Sequence, residues 1–93
     1  PDPAWKSYVG LYTDSTFWDN EVLILNGKLV IYGHGYPPED DPADSLVELQ
    51  PVSKHVFLSS GPNGDGEPVR FEMDGDGKVV RIKVGENYLF PKK

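Results

Sequence analysis

The stretch Glu21-Val-Leu-Ile-Leu-Asn-Gly-Lys-Leu-Val-Ile-Tyr32 constrains this chain more than any other. Two aliphatic runs flank Asn26-Gly27, the dipeptide best suited to a two-residue type I′ turn, because both residues tolerate a positive φ. A turn of that length sets Leu25 opposite Lys28, Ile24 opposite Leu29, Leu23 opposite Val30 and Val22 opposite Ile31. Val22, Ile24, Leu29 and Ile31 then share one wholly apolar face. Glu21, Leu23, Leu25, Lys28, Val30 and Tyr32 share the other. A slip of one residue would exchange the faces, so burial of the first face locks the register.

The remaining sequence reads as strands laid beside this hairpin. Val69, Phe71 and Met73 alternate with Arg70 and Glu72, and Asp74-Gly-Asp-Gly77 is a turn. Val80, Ile82 and Val84 alternate with Arg81 and Lys83 beyond it. A four-residue loop pairs Phe71 with Val80 and Val69 with Ile82, which predicts Val22, Ile24, Leu29, Ile31, Phe71, Val80 and Ile82 in one core. Upstream, Trp5 to Tyr12 reads as a strand in which an aromatic ring such as Trp5 or Trp18 covers the bare Gly10. Ser45 to Gln50, His55 to Leu58 and Tyr88 to Phe90 are further short strands. That makes seven to eight strands at roughly 8–12-residue spacing, with no helical period. The fold class is all-β, a small antiparallel up-and-down meander. It either closes into a barrel filled by Tyr8, Tyr12, Phe57, Phe71 and Phe90 or stays an open, strongly curved sheet.

Gly33 to Asp44 is the one long irregular piece, with three prolines and a run of turn formers. Residues 1–4 read as the end of a linker and 5–93 as a single domain. The Pro-Asp-Pro start without a Met suggests a domain cut from a longer protein or a processed product. A chain of 93 residues buries roughly 60–70% of its unfolded surface, enough for one core. It has no cysteine, which excludes disulfides and thiolate metal sites. No apolar run approaches the ~18 residues of a membrane-spanning helix. A net charge of −6 argues against nucleic acid, whose phosphates need a basic field. The charge is unevenly placed. Glu39, Asp40, Asp41, Asp44 and Glu48 lie in a stretch without a cation, whereas Lys78, Arg81, Lys83, Lys92 and Lys93 face only Glu86 in the last sixteen residues.

Motifs that carry chemistry are scarce. Counted as a calcium loop from Asp74, the sixth position is Val79 rather than Gly and the twelfth is Gly85 rather than Glu, so turn chemistry is the better reading. Asn63-Gly-Asp-Gly-Glu67 fails in the same way at Pro68. His34 and His55 fit no zinc spacing, His34 reading as a loop residue and His55 as an edge residue. None of the six serines stands in G-x-S-x-G or S-x-x-K. No catalytic residue, metal ligand or cofactor is therefore assigned. The candidate functional residues are Leu23, Leu25, Val30 and Tyr32, on the hairpin's second face. They form either a contact surface or a patch covered by the long loop or a tail.

Three segments together resemble one known family. Trp5-x-x-Tyr8-Val-Gly10-x-Tyr12 is similar to its opening strand, and Val22, Ile24 and Asn26-Gly-Lys-Leu29 to its hairpin. Leu49-x-Pro51, Phe57, Phe71-x-x-Asp74, Asp76-Gly-Lys-Val79 and Phe90 are similar to its later half. The family is the small lipocalin-like β-barrel appended C-terminally to serine hydrolases of the β-lactamase and penicillin-binding-protein superfamily. The chain departs from it in the acidic, Pro-rich insertion at 36–44 and the Gly-rich loop at 61–66. The resemblance implies a lipocalin-like barrel and a non-catalytic accessory module, with the catalytic Ser and Lys in a hydrolase domain joined near Pro1. It implies that this hydrolase domain, or further copies of the chain, are the partners, and that packing on them shapes active-site access or oligomerisation. The alternatives are a stand-alone barrel that binds a small apolar ligand, since barrel mouths are ligand sites, and an adhesion or scaffold module.

Overall fold

The structure, a computed structural model, describes residues 2–14, 19–34 and 46–92. A short 3₁₀ helix, Pro3–Ser7, opens the chain. Strands β1 (Gly10–Thr13), β2 (Asp19–Leu25), β3 (Lys28–His34), β4 (Leu46–Ser53), β5 (Val56–Ser60), β6 (Pro68–Met73), β7 (Val79–Val84) and β8 (Asn87–Pro91) follow. Each strand pairs antiparallel with the next, and β8 pairs with β1, so the sheet closes into an eight-stranded up-and-down barrel. The closed alternative is the correct one, and the lipocalin-like architecture fits it. Closure leaves no open sheet edge to template association. The turns β2–β3, β4–β5 and β6–β7 lie at one end, the base, and the connections β5–β6 and β7–β8 at the other, the mouth.

The central hairpin has the register its turn dictates, from Leu25 opposite Lys28 to Val22 opposite Ile31. Asn26 and Gly27 adopt φ of 53° and 78°, as a type I′ turn requires. Val22, Leu29, Ile31, Phe71 and Ile82 are buried in one core, and Ile24 packs against it half-buried. Val80 does not join them; it is half-exposed. The expected four-residue loop is replaced by a five-residue one, 74–78, followed by a bulge. Met73 faces Val79 while Glu72 faces Arg81, so the extra residue, Val80, is pushed outward. Phe71 consequently pairs with Ile82, and Val69 with Val84. Asp74 organises this longer loop: its Oδ1 accepts from the backbone N–H of Asp76 (2.8 Å) and of Lys78 (3.0 Å). These donors hold the Asp74 carboxyl below its ordinary value, the Lys78 amide contributing most.

The base is filled by aromatic rings. Tyr8 stacks on Phe71 with centroids 4.1 Å apart, and Phe57 meets both edge-on at 5.8 and 5.6 Å. Trp5 covers Phe57 from below at 6.1 Å. Trp5 and Ser7 stand in the 3₁₀ helix rather than in the expected strand. Asp2 caps that helix by accepting from the Ala4 N–H at 2.9 Å, with Pro3 at its first position. Gly10 faces the Tyr12 ring, which a Cβ there would meet at 3.9 Å, rather than Trp5; Trp18 lies outside the described residues. Tyr12 is buried and donates to the Tyr8 carbonyl at 2.7 Å, and burial pushes its hydroxyl up to about 12. Phe90, expected inside, points outward from β8 and is nearly half-exposed.

Candidate functional site

The proposed contact residues sit where the hairpin register puts them, on the outer wall, but not as an equal set. Leu25 is exposed, and Leu23 and Tyr32 are half-buried. Val30 is buried, at 3% exposure, and is not available for contact. Its neighbours on that wall include Leu46, Glu48, Pro62 and Asn63. The β5–β6 connection reaches outward there, and Asn63 donates from Nδ2 to the Leu46 carbonyl at 2.8 Å. Gly61 admits the Glu48 carboxylate, whose Oε2 would stand 2.5 Å from a Cβ. Part of the patch is thus covered by a loop, though not by the long loop or tail considered from the sequence. The covering loop is the Gly-rich one at 61–66.

The apolar outer wall continues where the sequence did not point. Gly10 and Tyr12 face inward, so Val9 and Leu11 face outward on β1 and its approach. The ladder sets Leu11 beside Glu21 on β2, and Thr13 beside Phe90 on β8. Val9, Leu11 and Phe90 are exposed at 47%, 44% and 46%. Together with Leu23 they make a band of apolar side chains on the outer wall of β8, β1 and β2, interrupted beside Leu11 by Glu21 and Lys92. Closure is what creates this band, because it brings the last strand beside the first. No local pattern in the sequence could have found it.

The mouth holds the other feature. A cleft of about 510 Å³ opens there, with a floor that includes Ile31, Val47, Val69, Val84 and Leu89. Its rim is polar. Ser59, buried, donates to Asp65 Oδ1 at 3.1 Å and accepts from the Glu67 N–H at 2.9 Å, which folds the Gly-rich connection into the rim. Glu67 lies over Gly85, where a Cβ would stand 2.5 Å from the carboxylate and where φ is 58°. Residues 15–18 and 35–45, and with them the acidic run 39–44, lie outside the described residues.

The two histidines separate. His34 ends β3 opposite Asp19. His55 is not an edge residue: it occupies the β4–β5 turn at φ 64°. Its ring meets Tyr8 edge-on at 5.7 Å, and Nδ1 shares a hydrogen bond with the Tyr8 hydroxyl. Among the described residues, no three His, Cys, Asp or Glu side chains gather as a metal-binding group. No helix among them is long and apolar enough to cross a membrane. No protein-family model and no curated protein matches the chain.

Proposed function

We propose that this barrel is a non-catalytic accessory module that acts by contact, packing its outer wall on a hydrolase domain of the β-lactamase-like class in the same polypeptide, as the sequence resemblance implies. The observation that carries this reading is the band of Val9, Leu11 and Phe90, three large apolar side chains left nearly half-exposed along the adjoining β1 and β8 of a small domain. Covering about 300 Å² of such surface offers some 7 kcal/mol at roughly 25 cal/mol per Å², before association costs. That suffices for docking between tethered domains, where much of the entropy loss is already met. In the hydrolase so joined, the module shapes access to the active site or sets the oligomeric state.

The test is the pair Leu11→Thr with Phe90→Thr, which keeps strand-forming residues and removes apolar area. The isolated barrel should keep its urea midpoint, while docking on the hydrolase domain weakens and the parent enzyme's KM or sedimentation changes. Unchanged docking, activity and sedimentation would place the contact elsewhere. The reading also requires S-x-x-K in the polypeptide upstream of Pro1.

A second reading, binding of a small apolar ligand, is favoured by the cleft of about 510 Å³ at the mouth. Val69→Trp would fill its floor, and loss of fluorescent-probe binding in that variant alone would support it.

A further inference from the structure

Arg70 on β6 and Lys83 on β7 stand directly opposite each other in the ladder. Both point outward and are exposed, since Val69, Phe71 and Ile82 beside them are buried. Like charges in directly opposed positions destabilise a strand pair. The neighbouring rung shows the usual remedy: Glu72 faces Arg81 and accepts from its Nε at 2.8 Å. Neither Arg70 nor Lys83 makes an ion pair or side-chain hydrogen bond with any described residue. The chain carries 15 acids against 9 bases, so an acid for this rung was not scarce in the composition. Lys83 in turn faces Tyr88 on β8, whose ring lies 4.5 Å from the Arg81 guanidinium. Val80 leaves apolar surface on the same wall.

We infer that the Arg70–Lys83 rung is the docking point for an acidic polypeptide segment, which sets a carboxylate across the two cations and an apolar side chain against Val80. Opposed Cβ atoms lie roughly 4.5–5.5 Å apart, a span that one carboxylate bridges, with the Arg fork taking one or both oxygens. A polyanion is the poorer fit. A nucleic acid in particular needs more: the rung offers two cations with Glu72 alongside, far fewer than the row of contacts by which proteins hold a phosphate backbone. The inference deepens the contact reading by giving the partner a chemistry, and its test is separate from that of the Leu11 and Phe90 band.

The test is an NMR titration of the full chain with capped hexaglutamate, with sodium sulfate at matched ionic strength as a second arm. Saturable shifts should appear at the amides around residues 70, 83 and 88 with the peptide and not with sulfate. Arg70→Gln with Lys83→Gln should weaken peptide binding by about tenfold or more, and the charge-matched control Lys6→Gln with Lys54→Gln by no more than about twofold. No localised shifts, the same shifts with sulfate, or equal losses in both variants would each overturn the inference. If the peptide binds at the rung while the Leu11 and Phe90 variant docks normally, the apolar band fails and the rung stands. The converse result removes the rung alone.

Discussion

His55 occupies a left-handed backbone position that costs an L residue about 1 kcal/mol or more and that glycine usually fills. What holds it there is its ring, pinned between the turn and Tyr8. Tyr8→Phe keeps the stacking on Phe71 and removes only the hydroxyl, leaving His55 Nδ1 without its partner. The expected loss is about 0.5–1.5 kcal/mol in urea unfolding, and no measurable loss would show that ring packing alone holds the turn. Tyr12 makes a second prediction, in alkali. Its hydroxyl is raised from the usual 10.0 to about 12 by burial, so the folded state keeps a proton that the unfolded chain releases. Its stabilising share is complete below pH 10 and is lost as pH rises towards 12. Tyr12→Phe should flatten stability across that window, which a series of urea midpoints between those pH values would show.

Between one hairpin and another, the sequence was unequally legible. The β2–β3 hairpin could be read residue by residue because a two-residue Asn-Gly turn leaves a single register. The β6–β7 hairpin could not, because the Asp74 carboxylate organises its loop, and a side chain that caps a turn leaves no mark in the alternation of apolar residues. The bulge that results moved Val80 outside and cost the core list one member. It yields a paired prediction: Ile82→Ala should cost about 2–5 kcal/mol, while Val80→Ala stays within about 0.5 kcal/mol. Equal losses would restore the four-residue loop. Asp74→Asn tests the loop's cause. The carboxyl lies below its ordinary 3.8 in the folded state, so its contribution is present above that value and disappears as pH falls through the depressed one. Wild type should exceed the Asn variant in thermal midpoint near neutrality, and the two should converge in acid. The opening 3₁₀ helix was missed for a related reason, its signal being an Asp-Pro start that also reads as a linker. The apolar band was missed because it exists only after closure.

At the scale of the whole barrel, the join between β1 and β8 is short. The ladder there consists of Tyr12 opposite Pro91 and Thr13 opposite Phe90, extended by the Lys92 N–H to the Leu11 carbonyl at 2.9 Å. Pro91 has no N–H to give, and the Lys92–Asp19 ion pair at 2.7 Å is exposed and contributes no more than about 1 kcal/mol. Closure therefore depends on Leu89, which is buried in the core beside Ile82. A chain ending at Glu86 loses this side chain and opens two strand edges, and it should aggregate on size-exclusion chromatography where the full chain elutes as a compact species. The even number of strands has an architectural consequence. A meander of eight leaves from the base and returns to the base, on neighbouring strands, so the entry and exit of the chain share one rim. Whatever polypeptide is spliced to either side is anchored at the foot of the barrel, and the far rim is presented outward like the open end of a cup on a stem. The barrel could thus sit in the middle of a host's surface loop as readily as at its terminus, without stretching the loop that receives it.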